Sequence, residues 1–128
     1  GGRQDVSPRL LSANERLERD ALAGVSAHPG LVRVLGELGA DHFDVDLHRR
    51  AVAHLLGMGG EDGEIVALLA ELDARAEQQA IDEPTAEQLL LRLRERKLKR
   101  ELETADAERL PDLQQALARV RTRFREFA

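Results

Sequence analysis

TAEQLLLRLRERKLKRELETADA, residues 85–107, is the stretch that decides the fold. It is written in Leu, Arg, Glu, Lys and Ala, which are strong helix formers. The pattern predicts one continuous helix of roughly 23 residues, about 35 Å long. Thr85 with Gln88 reads as a capping box at its start, and Asp82-Glu83-Pro84 reads as the end of the preceding helix. Leu89, Leu90, Leu91 and Leu93 point almost all round, so the first half is expected to pack on several sides. Leu98, Leu102 and Ala105 then form a narrow stripe that suits a single partner helix.

The end of the chain supplies that partner. After a turn near Leu110-Pro111, the residues Leu113, Leu117, Val120, Phe124 and Phe127 recur at spacings of 4, 3, 4 and 3. That is a coiled-coil-like seam. Residues 85–128 are therefore expected to form a long helix and a C-terminal antiparallel helical hairpin.

Upstream, residues 12–84 read as a helical bundle and residues 1–11 as a flexible lead-in. Ser12 and Glu15 form a capping box for a first helix that runs to about Ala27, with Leu17, Ala21, Leu22 and Val25 inward. Pro29 is placed to open a second helix. Its stripe is Leu31, Val34, Leu35 and Leu38, and Gly39 is expected to close it in a left-handed conformation. Phe43 is read as a loop residue that plugs the core, and Asp46 as the cap of a third helix with Leu47, Ala51, Leu55 and Met58 on one face. Gly57, Gly59, Gly60 and Gly63 break the chain before a fourth helix from about Asp62 to Gln79. The bundle core is expected to include Leu22, Val25, Leu35, Phe43, Leu55 and Leu69. The fold class is all-α.

Composition narrows the function. Of 128 residues, 42% are apolar, but only three are Phe and none is Trp or Tyr, so the core is aliphatic. There is no cysteine, which excludes disulfides, cysteine nucleophiles and thiolate metal sites and agrees with a reducing cytoplasm. No apolar run approaches the roughly 20 residues that span a bilayer. The start at Gly1 without Met reads as a fragment or a processed chain. Net charge is -5, unevenly placed. Residues 1–84 hold 8 basic and 16 acidic side chains, a net of -8; residues 85–128 hold 11 and 8, a net of +3. A basic end on an acidic domain suits an acidic partner surface or nucleic acid, although from charge alone a solvated mixed-charge helix surface is the simpler explanation.

No stretch carries a catalytic signature. His42, His48 and His54 are spaced by six, so on a helix His48 and His54 diverge, and no metal is expected. Asp41, Asp44 and Asp46 cluster but lack the ligand order of a calcium loop, and helix capping explains Asp44 or Asp46 better. The glycines at 57–63 lack the Lys and Ser/Thr of a phosphate loop. Ser7, Ser12 and Ser26 lie outside any nucleophile-elbow context. The run Arg92, Arg94, Arg96, Lys97, Lys99, Arg100 is interrupted by Glu95 and has no aromatic neighbour for base stacking. No cofactor, no enzyme activity and no direct nucleic-acid binding are expected of this chain.

Two stretches resemble the C-terminal helicase-binding domain of bacterial replicative primases (DnaG type). RLERDALAGVSAHPGL, residues 16–31, resembles its opening helix, and DHFDVDLHRRAVAHLL, residues 41–56, resembles its Phe-loop and the His-Arg helix after it. LRLRERKLKRELETAD, residues 91–106, and the terminal helix resemble the long connecting helix and closing hairpin. The resemblance covers nearly the whole chain from about residue 12. Family members carry larger residues where this chain has Ala51 and Ala53. The N-terminal domain of the partner helicase (DnaB type) resembles it too; the basic helix at 91–106 and the end at Phe127-Ala128 favour the primase. A third alternative is a helical interaction module unrelated to replication.

The resemblance implies a docking role, with primer synthesis residing in domains outside this chain and the N-terminal domain of the helicase hexamer as partner. The hairpin is then the expected contact. Phe124 or Phe127 would anchor it, Arg109, Arg119, Arg121 and Arg123 would steer it, and Leu113, Leu117 and Val120 would contribute whatever part of the seam is exposed. The simpler alternative is that the whole seam is internal packing.

Overall fold

The computed structural model describes residues 11–128, so most of the proposed lead-in, residues 1–10, lies outside the described residues. The described chain is all-α: α1 (Ala13–Ala27), α2 (Val32–Leu38), α3 (Asp46–Leu55), α4 (Gly63–Gln78), α5 (Glu83–Thr104) and α6 (Leu110–Glu126). Single 3-10 turns, Pro29–Leu31 and Ala40–His42, precede and follow α2. No strand occurs among the described residues.

The start of α1 is as its sequence requires. Ser12 Oγ accepts from the Glu15 N–H at 3.1 Å, and Glu15 accepts from the Ser12 N–H at 3.1 Å. Other ends differ from expectation. Pro29 opens a 3-10 turn, and α2 itself begins at Val32. Gly39 has φ 84° but ψ 168°, an extended conformation open to glycine and not the left-handed helical one. Asp46 does not cap α3; the N-cap is Val45 and has no side-chain acceptor of its own. Met58 is not on α3, which ends at Leu55; it is 72% exposed in the following loop. Thr85 does not cap α5. Asp82 does, accepting from the Thr85 N–H at 2.9 Å, and Pro84 fits the first turn, where its missing N–H costs nothing.

α1 is the centre of the first core and lies against α4 and α5. Arg75 of α4 donates to Asp20 of α1 at 2.7 Å, and Ser26 of α1 to Asp73 of α4 at 2.7 Å. Leu22, Val25, Leu35 and Phe43 are fully buried there; Leu55 and Leu69 are partly buried around them. The bundle core extends past residue 84, since Ala86, Leu90 and Leu93 of α5 belong to it. Gly24 allows the close approach of α1 to α5: a Cβ at that position would fall 2.5 Å from the Ala86 Cβ.

The second core is smaller. Leu98 of α5 packs with Leu113, Ala116, Leu117 and Val120 of α6, with Leu91, Leu102, Ala105 and Phe124 at its edges. Arg109, at the start of α6, pairs with Glu101, and Arg123, near its end, pairs with Glu87. The helices are therefore antiparallel, and α5 serves both cores along its length.

Candidate functional site

The seam spacing in α6 puts most of its apolar residues inward. Leu113, Leu117 and Val120 are each no more than 8% exposed and face α5, and Phe124 is packed at the edge of the same core. For Leu113, Leu117 and Val120 this is the internal-packing alternative, so they are not a surface, while Phe124 is only partly buried. Phe127 stays half-buried at the end of the hairpin, with the Arg123 guanidinium 4.6 Å above its ring. Arg123 also donates twice to Glu87, at 2.8 and 2.9 Å, and once to Glu126 at 2.8 Å. Those carboxylates raise its pKa further. Arg109, Arg119 and Arg121 are exposed. Arg109 reaches Glu101 at 4.0 Å and Arg121 reaches Glu95 at 3.8 Å, both weak pairs. Of the sequence-predicted contacts, the exposed arginines and the Phe127 edge remain available at the surface.

A polar knot occupies the joint between the bundle and α5, and the sequence reading missed it. Glu18 of α1 is fully buried. One oxygen accepts from the Asp44 N–H at 2.8 Å and from Arg96 at 2.7 Å; the other accepts from His48 Nδ1 at 2.9 Å and the Val45 N–H at 3.2 Å. Glu18 thus reaches from α1 to the N–H groups of Val45, the N-cap residue of α3, and of Asp44 before it. Burial pushes its carboxyl upward, but these four hydrogen bonds prevail and hold it at about 2. His48 Nε2 accepts from Arg19 Nε at 3.2 Å, which leaves the ring proton on Nδ1, facing Glu18. Arg96 also donates to the His42 carbonyl at 2.8 Å, and Arg100 grips Asp44 with two bonds of 2.8 and 2.9 Å. Asp44 is therefore a partner of α5 as well as a neighbour of the α3 start. One signal was present: Glu18 is in register with Leu22 and Val25, at the 4 and 7 spacings of the buried face.

Beside the knot lies a cleft of about 720 Å³ between α2, the Ala40–His42 turn, α5 and the end of α6. Its apolar wall is Val34, Leu38 and Leu91. Arg94 projects from α5 onto the buried His42 ring, donating to Nε2 at 3.3 Å. His42 Nδ1 donates to Asp41 at 3.1 Å. Burial, the larger influence, lowers the His42 pKa below its ordinary value against the opposing pull of Asp41.

His28 joins His42 and His48 in structural roles. Its Nε2 lies 2.8 Å from the Ile81 carbonyl, tying the end of α1 to the turn before α5. Among the described residues no three His, Asp or Glu side chains converge on a point that would hold a metal ion. No described helix is long and apolar enough to cross a membrane. Compared with known protein families, with curated proteins and with solved structures, the chain matches none.

Proposed function

We propose that this chain is a non-catalytic protein-interaction domain that docks a bacterial DNA primase onto the N-terminal domain of its replicative helicase. The observation that carries the reading is the state of the hairpin. Its apolar seam is satisfied internally, while Arg119, Arg121 and Arg109 remain at the surface. A two-helix hairpin with a net basic sequence, packed on an otherwise acidic bundle, suits electrostatically steered docking against an acidic protein surface. The resemblance over residues 16–31, 41–56 and 91–106 names the partner. Primer synthesis itself would belong to the catalytic domains of the parent primase.

Calorimetry of the whole chain against a helicase N-terminal domain tests this. Stoichiometric binding that weakens as salt rises is the expected result. Absence of binding at low salt and high micromolar concentration refutes it.

A further inference from the structure

We propose that the cleft between α2 and the hairpin is the seat for a carboxylate-bearing segment of the partner protein, with Arg94 as the group that receives the carboxylate. The proposal rests on the helicase-docking reading for the identity of the partner. The cleft's own argument is one of charge. Four cations border it, as do four carboxylates, but they are not equally engaged. Arg123 holds Glu87 through two hydrogen bonds. Lys97 lies 3.5 Å from Asp41 and 3.7 Å from Glu101. Arg33 and Glu37 form a loose surface pair at 3.6 Å. Every carboxylate at the cleft thus faces a cation.

Arg94 does not have the reciprocal arrangement. Its hydrogen-bond partner is the acceptor nitrogen of the His42 ring, which is uncharged when it accepts. A guanidinium carries five N–H donors, and a single bond of 3.3 Å to an imidazole leaves most of them to the cleft. The eight charged side chains of the cleft sum to zero, but Lys97 serves two carboxylates, so Arg94 is left as the lining cation that faces no carboxylate. The wall formed by Val34, Leu38 and Leu91 lies alongside. An acidic residue next to an apolar one, on a helix or extended segment of the partner, satisfies both features: the carboxylate takes the bidentate geometry that Arg favours, and the apolar side chain covers the wall. A basic or neutral segment would leave the Arg94 donors unpaired once water is excluded. This places the principal contact in the cleft, where Arg123 frames one side, instead of on the buried α6 seam.

The test is a nitrogen-15 NMR titration of the whole chain with the helicase N-terminal domain, together with calorimetry on two variants. Arg94→Gln removes the charge while keeping a donor toward His42. Arg16→Gln makes the same charge change on the exposed start of α1. Amide shifts concentrated at Val34, Leu38, His42, Leu91 and Arg94, with Kd raised about tenfold or more by Arg94→Gln and unchanged by Arg16→Gln, are expected. Should Arg94→Gln melt earlier than the parent chain, the footprint on the unmodified protein still decides. Binding with a footprint elsewhere, or binding indifferent to Arg94→Gln in a folded variant, overturns the cleft and leaves docking standing. No binding by the unmodified chain overturns docking and the cleft with it.

Discussion

Glu18 is a carboxylate with no exposure to water, and its two oxygens are filled by four donors from three other segments of the chain. Its ordinary value of 4.5 falls to about 2 in the fold. The folded form therefore prefers the charged carboxylate more than the unfolded chain does. The resulting stability is complete above pH 4.5 and is lost as pH falls toward 2, an amplitude of about 3 kcal/mol. Glu18→Gln should cost on the order of 3 kcal/mol at pH 7, because it takes from the largely covered Arg96 its nearest carboxylate and leaves only Asp44 at 3.8 Å. It should also flatten the fall in stability between pH 5 and 2. The remaining slope comes from Asp44, lowered by Arg100, from Asp41, where burial is outweighed by His42 and Lys97, and from Asp62 and Asp82, lowered by the helix starts they cap. Urea unfolding at a series of pH values measures both effects, and an unchanged acid limb would show that the knot contributes nothing. Phe43 was legible from its position between two helices, and it is buried to 1% exposure. Phe43→Ala should cost about 3–5 kcal/mol, read as a lowered melting temperature. Glu18 was not legible in the same way. Its register with Leu22 and Val25 marks the buried face, but a glutamate among 24 acids does not show what would satisfy it there until its four donors, 26 to 78 residues distant, are brought to it.

At the scale of the element, the sequence was most readable where a helix is fixed by its own residues. Ser12 caps α1 because the Glu that answers it is three residues away. The α6 spacing identified the face that meets α5 because a heptad-like seam needs only a partner of the same length. Some readings failed by a few residues at an element's end, as where Asp82 caps α5 in place of Thr85, and others failed where a distant group took over a local task. Asp46 is an ordinary N-cap residue type, yet the N-cap position falls on Val45, whose N–H is held by Glu18, and Asp46 lies exposed in the first turn. Gly24 shows the same dependence. Nothing near it in sequence demands a glycine, and within a helix Ala is favoured by roughly 1 kcal/mol. The demand comes from Ala86, 62 positions onward, whose Cβ would lie 2.5 Å from an added Cβ. Gly24→Ala should therefore destabilise the chain by about 1–2 kcal/mol, as overpacking outweighs propensity. Ala86→Gly in the same chain should recover part of the loss. A double-mutant cycle in thermal or urea unfolding gives the coupling, and strictly additive effects would place the strain elsewhere.

At the scale of the whole molecule, one long helix joins two cores, and the joint decides how far they are independent. Ala86, Leu90 and Leu93 hold the first half of α5 in the bundle; Leu98 and Leu102 hold the second half against α6. If apolar packing alone fixed α5, removing α6 would release it soon after Leu93. The polar contacts extend further. Arg96 is bound to Glu18 and to the His42 carbonyl, and Arg100 is bound twice to Asp44. These pairs attach α5 to the bundle for nearly two turns beyond the last apolar contact. A chain ending at residue 107 should therefore keep a cooperative melt, and its amide protection in α5 should persist to about Arg100 before fraying. Helicity should fall by α6 and only the last turn of α5. Native-state hydrogen exchange on this truncation reads the boundary directly. Protection ending near Leu93 would show that the polar joint does not hold without the hairpin. Glu18→Gln in the truncated chain should move the boundary back toward Leu93, which ties the mechanical coupling of bundle and hairpin to one buried carboxylate.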